Sequence, residues 1–284
     1  MKFAKFKLLQ LQTKFIDSRQ KTLAHVGEMI AEQMAQSPDA DFIALPEMFA
    51  CPYENKMFPA YAEYHGGEVY RFCRDTARRY GVYLAAGSLP ERDEQGRIFN
   101  VAYVFNDEGR QIARHAKMHL FDIDIEGGQS FHESDTLKAG DSVTVFDTKF
   151  GKMGLCICYD FRFPELARLM ADKGARLIFV PAAFNMTTGP LHWELMFRSR
   201  AVDNQLYTVG TAPAYDENAA YHSWGHSIAV SPWGKVLAQL ELSEGAMITQ
   251  IDFAETEAVR RQLPLLRHRR LDVYRLSEII KRGN

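Results

Sequence analysis

Short apolar runs alternate with amphipathic segments along most of this 284-residue chain. Residues 6–12 have the apolar content of a buried strand, and the next segment carries apolar residues at helical spacing, namely Leu23, Val26, Ile30 and Met34. The same alternation predicts further strands over 83–87, 101–105, 111–116, 152–157, 177–182, 207–210, 227–231, 235–240 and 246–251, and further helices over 69–80, 164–173 and 191–204. Because strands and helices alternate rather than forming separate blocks, the pattern indicates the α/β class.

Composition and charge limit the classes of protein to which the chain can belong. With 46% hydrophobic and 25% charged residues, it can bury one large core, so we expect a single domain over residues 1–284, with the last ~10 residues as a tail or a dimer contact. The net charge of −2 and one short basic cluster, at 267–270, predict no nucleic-acid partner. No apolar run approaches the roughly 20 residues that span a bilayer, so no membrane partner is expected.

The cysteines predict the compartment. There are four, Cys51, Cys73, Cys156 and Cys158, and no two have Cys-x-x-Cys spacing. The amino terminus lacks the long apolar core of a signal peptide. Since both features are typical of a reducing environment, we expect a cytoplasmic protein.

One of these cysteines is a candidate nucleophile. Cys158 follows the apolar run 152–157, and Pro164 lies at an early position of the next amphipathic helix. The cysteine is therefore predicted at a sharp corner between a strand and a helix amino terminus, where backbone N–H groups favour a thiolate. A buried, inert cysteine is the commoner outcome for this residue type.

Two charged residues are predicted at comparable corners. The apolar run 41–45 ends at Pro46 and is followed by Glu47, whose pKa burial would raise toward neutrality, as a general base that must also return the proton requires. Lys117 follows a second strand-like run, and a lysine fixed in a site can stabilise an oxyanion. Considered singly, a water-facing glutamate and a solvated lysine are the alternatives.

Three segments around these residues resemble the signatures of the nitrilase superfamily of carbon–nitrogen hydrolases. They are Leu45-Pro46-Glu47, the run KMHLFD that begins at Lys117 and the run CYDFRFPE that begins at Cys158, in the family's order and at similar separations. The similarity extends from residue 6 to about residue 274. It implies an α/β protein with the family's four-layer αββα sandwich, usually dimerised through one helical layer, so we expect a homodimer or a higher homo-oligomer. We expect no cofactor and no metal.

The resemblance also implies roles for individual residues. Cys158 is expected to attack the carbonyl of a small-molecule amide after Glu47 accepts its proton, and Glu47 then protonates the departing ammonia. Lys117 and the backbone N–H of Tyr159 are expected to stabilise the oxyanion. The family carries a second glutamate, which Glu133 matches, and this residue is expected to orient Lys117 or the substrate.

Within the superfamily, the segments 184–195 and 198–205 are similar to the omega-amidase branch. That branch hydrolyses the terminal amide of 2-oxoglutaramate and 2-oxosuccinamate, and a sister branch that acts on deaminated glutathione shares several of the motifs. The far carboxylate of a 2-oxo acid substrate needs a cation and hydroxyl donors. The candidates for binding it are Arg162 first, then Phe184 and Thr188 by resemblance to the branch, and Tyr53.

For Arg162 the alternative is a structural ion pair with Asp160 or Glu165. A metal hydrolase would use His222 and His226, which are four residues apart but lie in a segment that favours a turn.

Three further interpretations of the cysteine stay open. A cysteine–histidine dyad would use His119, His192 or His226 as the base. A thiol redox protein would depend on Cys156 as well as Cys158, so that replacing Cys156 would abolish its function. A binding module that has kept the scaffold would form no covalent adduct.

Overall fold

The computed structural model describes residues 4–126 and 130–279. The strands are β1 (Lys5–Gln12), β2 (Phe42–Ala44), β3 (Glu63–Tyr64), β4 (Tyr83–Arg92), β5 (Ile98–Phe105), β6 (Gln111–Ala116), β7 (Asp122–Asp124), β8 (Ser130–His132), β9 (Thr144–Thr148), β10 (Gly151–Leu155), β11 (Leu177–Pro181), β12 (Tyr207–Thr211), β13 (Ile228–Val230), β14 (Val236–Gln239) and β15 (Gly245–Asp252). The helices are α1 (Arg19–Gln36), α2 (Phe58–Tyr61), α3 (Glu68–Tyr80), α4 (Pro164–Asp172), α5 (Gly189–Asn204) and α6 (Phe253–Gln262). Two 3₁₀ turns, Glu133–Asp135 and Cys158–Arg162, complete the described elements.

Two large mixed sheets form the centre of the molecule. The first has the strand order β15-β1-β2-β4-β5-β6, with β3 paired to β4, and the second has the order β14-β13-β12-β11-β10-β9. In each sheet the inner strands run parallel, β1 with β2 and β4, and β10 with β11 and β12, whereas the flanking pairs are antiparallel. The carboxyl ends of the parallel strands therefore lie at one edge of each sheet, where the loops that follow them can meet.

The side chains of β1 show why both faces of the first sheet are covered. Phe6 and Leu8 belong to the core between the two sheets, while Leu9 and Leu11 belong to a second core under the helices α1 and α3. Successive strand residues point to opposite faces, so a strand buried on both faces consists of a nearly continuous apolar run. The apolar runs of the sequence are explained by this double burial.

Helices cover the outer face of each sheet. α1 and α3 pack together on the first sheet, and α4 and α5 pack on the second, against β10 and β12. The four apolar residues that predict α1 are all buried. Between the sheets, the rings of Phe42 and Phe179 stack with centroids 5.6 Å apart. The layers therefore run helix, sheet, sheet, helix, and the prediction of an α/β architecture is confirmed.

The predicted elements are present, with boundaries that differ by a few residues. β4 continues to Arg92 beyond the predicted residue 87, and the strand predicted over 152–157 ends at Leu155. It ends early because the chain turns there into the 3₁₀ segment that carries Cys158. Several short elements were not predicted, namely α2, β3, β7, β8, β9 and α6.

No helix within the described ranges is both long enough and apolar enough to cross a membrane.

Gly87 permits a close approach between two segments that enter the first sheet. Its φ is +62°, and a Cβ atom at this position would lie 2.1 Å from the carbonyl oxygen of Pro46. The same carbonyl accepts a hydrogen bond of 3.2 Å from the backbone N–H of Ser88. Gly87 therefore sets how closely the loop that carries Glu47 approaches β4.

Replacing Gly87 with alanine should destabilise the protein through both backbone strain and a steric clash. Gly96 is a matched control, because its φ is +76° but nothing lies within 4 Å of the added Cβ. The left-handed backbone alone costs on the order of 1–3 kcal/mol for a non-glycine residue. In urea unfolding, Gly87→Ala should lose at least about 1 kcal/mol more than Gly96→Ala, because the clash adds to the strain. Equal losses would show that the contact with Pro46 has no energetic role.

Candidate active site

Four of the residues singled out in the sequence meet at one edge of the sandwich. Glu47 lies in the turn after β2, Lys117 directly follows β6, Glu133 opens a 3₁₀ turn after β8, and Cys158 opens the other 3₁₀ turn after β10. All four are buried, and the most exposed of them, Cys158, has an exposed fraction of 4%. The structure thus brings together side chains from loops of both large sheets.

Cys158 lies at a strained corner. Its φ is +47°, in a region that non-glycine residues seldom adopt. A hydrogen bond of 3.0 Å from the backbone N–H of Asp160 to the carbonyl of Ile157 closes the turn, and α4 then begins at Pro164. The corner predicted from the sequence is present, and the backbone N–H of Tyr159 follows it directly.

The carboxylate of Glu47 has hydrogen-bond donors on both of its oxygens. Oε1 accepts from Asn100 Nδ2 at 2.9 Å and from Lys117 Nζ at 3.0 Å, and Oε2 accepts from the backbone N–H of Ala183 at 2.8 Å. Burial raises the pKa of Glu47, the charge of Glu133 adds to this effect, and Lys117 opposes it. A raised pKa suits a group that accepts a proton and later returns it.

Lys117 lies between two carboxylates. Its ammonium donates to Glu47 at 3.0 Å and to Glu133 at 2.9 Å. Burial alone would lower the pKa of Lys117, but the charges of Glu133 and Glu47 outweigh it and raise the pKa overall, so the side chain stays an ammonium. Glu133 is held in turn by Tyr53 Oη and by the backbone N–H of Phe121, both at 2.8 Å.

The thiol of Cys158 and the carboxylate of Glu47 lie close enough for each to influence the pKa of the other. Burial raises the pKa of Cys158, the negative charge of Glu47 raises it further, and Lys117 lowers it. The resting thiol therefore keeps its proton, and a base with a raised pKa lies next to it. This arrangement can transfer the thiol proton to Glu47 at the moment when sulfur attacks a carbonyl.

Arg162 forms a second group of contacts close to the thiol. Its guanidinium contacts His192 Nδ1 at 3.0 Å, donates to Thr188 Oγ1 at 3.2 Å and lies 4.3 Å from the centre of the Phe184 ring. Burial lowers the pKa of Arg162. Arg162 thus contacts two of the other predicted substrate-binding residues, Thr188 and Phe184.

No carboxylate pairs with Arg162 within residues 4–126 and 130–279. Asp160, one of its two predicted ion-pair partners, accepts instead from His115 and His119 at 2.9 and 2.8 Å. The structural ion pair with Asp160 or Glu165 that the sequence left open is therefore not formed. A half-buried guanidinium without an anion can bind one from solution.

Tyr53 lies beside Glu133 and Glu47 rather than beside Arg162. Its hydroxyl donates to Glu133 at 2.8 Å, and its ring centre is 4.6 Å from that of Tyr221. Tyr53, Tyr221 and Glu47 line a cavity of about 310 Å³ that gives access to this edge of the sandwich. Sequence reasoning missed Tyr221 and Asn100, because neither lies in a motif or at a predicted corner.

The histidines considered as bases have other partners. His119 contacts Asp160 and His192 contacts Arg162, while His226 Nδ1 lies 2.6 Å from the carbonyl oxygen of Trp224. No group of three or more histidine, cysteine or acidic side chains within the part of the chain that the structure describes is arranged to hold a metal ion. Cys156 is a buried free thiol, and burial raises its pKa.

Comparison with known proteins agrees with the fold. The family model described as carbon-nitrogen hydrolase matches residues 8–261, and the chain belongs to that family. Among curated proteins, omega-amidase NIT2-A of Xenopus laevis is 45% identical over 275 residues, covering 97% of this chain and 99% of that protein. Omega-amidase NIT2 of Homo sapiens is 45% identical over 267 residues, covering 94% and 95%.

Two solved structures have the same fold as this chain. Saccharomyces cerevisiae Nit3, a member of branch 10 of the nitrilase superfamily, superposes with a TM-score of 0.87 at 39% identity over 94% of this chain and 97% of that one. The C. elegans NitFhit protein superposes with a TM-score of 0.89 at 30% identity, over 100% of this chain and 69% of that one. The resemblance to the nitrilase superfamily and the four-layer αββα sandwich are therefore confirmed.

Removing the charge of Glu47 should lower the pKa of Cys158. In Glu47→Gln the charge that raises this pKa is lost, while Lys117, which lowers it, remains. A charge within hydrogen-bonding reach shifts a pKa by about one unit or more. Titration of the thiolate ultraviolet absorbance, with the Cys158→Ala trace subtracted, should give a midpoint at lower pH in Glu47→Gln than in the wild type. An unchanged or higher midpoint would contradict the assigned coupling.

Proposed function

We propose that this chain is an omega-amidase, which hydrolyses the terminal amide of 2-oxo dicarboxylic acid monoamides such as 2-oxoglutaramate and 2-oxosuccinamate. The observation that carries the proposal is a buried thiol beside a buried carboxylate and a buried ammonium. Four residues after the thiol, Arg162 pairs with no carboxylate in the described part of the chain. The first group suits attack on an amide, and the second suits the far carboxylate of such a substrate. Similar curated relatives carry the name omega-amidase.

The first half-reaction forms a thioester. Cys158 Sγ attacks the amide carbon while Glu47 takes the thiol proton, and the carbonyl oxygen becomes an oxyanion. The ammonium of Lys117 and the backbone N–H of Tyr159 stabilise that oxyanion. When the C–N bond breaks, Glu47 gives its proton to the nitrogen and ammonia leaves.

The second half-reaction releases the acid. Water attacks the thioester carbon as Glu47 takes one of its protons, and the same two donors stabilise the second oxyanion. The C–S bond then breaks, and Glu47 returns the proton to the sulfur. Glu133 keeps Lys117 charged and in place by pairing with it at 2.9 Å. The cycle ends with the thiol and the carboxylate restored.

Substrate binding in this proposal depends on Arg162. Its guanidinium, oriented by Thr188 and His192, pairs with the far carboxylate, and the Phe184 ring supports it from one face. Tyr53 lines the cavity beside Glu133 and Glu47, and so bounds the part of the site that holds the amide.

We further propose that the whole chain is one carbon–nitrogen hydrolase domain that forms a homodimer in the cytoplasm. Leu191, Leu195 and Val202 recur at helical spacing on α5 and are exposed, at 72, 65 and 39%, as a face buried in a dimer would be in the isolated chain. Four free cysteines suit a reducing compartment. Sedimentation equilibrium tests the dimer, and a monomer mass would contradict it.

Cys158→Ala should abolish the activity, and Cys156→Ala is the matched control. Release of ammonia from 2-oxoglutaramate, 2-oxosuccinamate, glutamine, asparagine and deaminated glutathione is measured for each variant. Rapid release from the first two should fall about a thousandfold or more in Cys158→Ala, because the nucleophile is lost. Cys156→Ala should stay within about threefold of the wild type, because a buried neutral thiol only packs.

Each contrary result in that assay has a definite meaning. Turnover confined to deaminated glutathione would replace the substrate and keep the mechanism. No turnover of any amide, or equal turnover by Cys158→Ala, would refute the proposed function. Activity lost with Cys156→Ala would favour a thiol redox role.

Arg162→Met should raise KM for the charged substrate alone. Loss of a charge-assisted hydrogen bond costs about 1.5–3 kcal/mol, or roughly 10- to 150-fold in KM. Butyramide, a neutral amide of similar length, should show little change, since methionine keeps the packing on Phe184. Arg198→Met is the control, because that arginine pairs with Glu194 on the outer helix α5. An equal rise in KM for both amides would contradict a carboxylate contact.

A further inference from the structure

The carboxylate of Asp160 is buried two residues beyond Cys158 and accepts five hydrogen bonds. Its side chain has an exposed fraction of 0%. Oδ1 accepts from the backbone N–H of Met118 at 3.1 Å, from that of His119 at 2.9 Å and from His119 Nδ1 at 2.8 Å. Oδ2 accepts from His115 Nε2 at 2.9 Å and from the backbone N–H of Ile157 at 3.1 Å. None of the catalytic steps above uses this group.

The residues that donate hydrogen bonds to Asp160 are sequence neighbours of Lys117 and Cys158. His115 lies two residues before Lys117, and Met118 and His119 directly follow it. Ile157 directly precedes Cys158. The Asp160 carboxylate therefore holds the chain both before and after Lys117, and directly before Cys158.

These two segments belong to different sheets. The segment of Lys117 continues β6 of the first sheet, whereas the turn of Cys158 continues β10 of the second. Strand pairing within either sheet does not set the distance between them. The hydrogen bonds of Asp160 join the two loops directly at the point where thiol and ammonium must share one oxyanion.

The same bonds hold a strained backbone. Cys158 has a φ of +47°, which a non-glycine residue keeps only where its surroundings enforce it. Ile157 donates its N–H to the Asp160 carboxylate, and its carbonyl accepts from the Asp160 N–H at 3.0 Å. Both backbone groups of the residue before Cys158 are thus tied to Asp160.

The histidines complete the connection on the side away from the thiol. His115 Nδ1 lies 2.9 Å from Thr144 Oγ1 on β9, and the ring of His119 stacks on Phe163 with centroids 3.8 Å apart. Burial alone would raise the pKa of Asp160, but the hydrogen bonds from His115 and His119 lower it well below its usual range. Asp160 therefore stays ionised, as an acceptor of five hydrogen bonds must.

We propose that Asp160 is a positioning residue, which holds Lys117 and Cys158 at the separation that a shared oxyanion requires, with His119 as an adjustable part of the same network. The inference rests on the proposed function for the identity of the reaction, but not for the geometry. A displacement of about 1 Å between reacting groups costs on the order of a hundredfold in rate. Substrate binding through Arg162 does not involve this network, so kcat should change and KM should not.

Asp160→Asn tests the proposal most directly. The new side chain carries an amide nitrogen, which faces N–H donors and therefore breaks part of the network. We expect kcat for 2-oxoglutaramate to fall about a hundredfold, with KM within about threefold of the wild type. A kcat near that of the wild type in the folded variant would overturn the proposal. Since a buried carboxylate is replaced, thermal unfolding is measured alongside.

Two variants of His119 keep the proposal testable if Asp160→Asn does not fold. His119 is partly exposed, with 29% of its side chain accessible. His119→Phe keeps a ring to stack on Phe163 but loses the donor to Asp160, whereas His119→Asn keeps a donor at the same distance from the backbone and loses the ring. We expect kcat to fall about tenfold in His119→Phe and to stay within about threefold in His119→Asn. The reverse pattern, or an effect on KM alone, would show that stacking or binding is responsible.

A second readout separates this inference from the choice of substrate. p-Nitrophenyl acetate acylates a thiol through an oxyanion, whereas methyl methanethiosulfonate needs only access to the sulfur. Cys158→Ala serves as the blank. The rate with p-nitrophenyl acetate divided by the rate with methyl methanethiosulfonate should fall about tenfold in His119→Phe and recover in His119→Asn. This result stands even if the wild type releases no ammonia from any amide tested, an outcome that would refute only the proposed function. An unchanged ratio in His119→Phe would refute the role of the network.

Discussion

A buried ammonium held between two buried carboxylates is the interaction on which this structure depends. Removing an ion from water costs several kcal/mol, and only close, well-oriented partners offset that cost. Lys117 has such partners in Glu47 and Glu133, at 3.0 and 2.9 Å. The three side chains leave one surplus negative charge, which the buried backbone N–H groups of Ala183 and Phe121 help to stabilise. The fold must therefore hold the three loops that carry these side chains in an accurate geometry.

The sandwich provides that accuracy because its strands are buried on both faces. Phe42 packs against the second sheet, while Ile43 packs under the outer helices. Neither sheet can therefore slide without opening a core. The loops that leave these strands inherit their rigidity. Two of them nonetheless carry left-handed residues beside or at a functional group, Met48 after Glu47 and Cys158 itself. Strain of this kind persists only where packing and hydrogen bonds enforce it.

Electrostatics divides the site into two parts with different tasks. Around Glu47 the surroundings raise the pKa values of both the base and the thiol, so that the thiol keeps its proton until the sulfur attacks a carbonyl. Around Arg162 no anion is present in the described structure, and neutral groups, His192 and Thr188, orient the guanidinium. A substrate with an amide at one end and a carboxylate at the other complements both parts.

The class of fold and the positions of the principal reactive groups follow from the amino-acid sequence alone. The alternation of apolar runs and helical spacing predicts the layers because burial on both faces of a sheet leaves a continuous apolar signal. Glu47, Lys117 and Cys158 were identifiable because each ends a strand within a motif. Glu133 was located only through the resemblance, since β7 and β8, which position it, are short and half-exposed and leave no periodic signal.

The tertiary structure sets which groups contact one another. It separated the Arg162 guanidinium from the Asp160 carboxylate, although the two residues lie on the same turn, and paired Asp160 with His115 and His119. It also placed Tyr53 with Glu133 and added Asn100 to the base. These contacts join residues distant in sequence, and their geometry depends on how two sheets pack. Local sequence patterns record the period and burial of each element but not the partner that a polar side chain meets across a core.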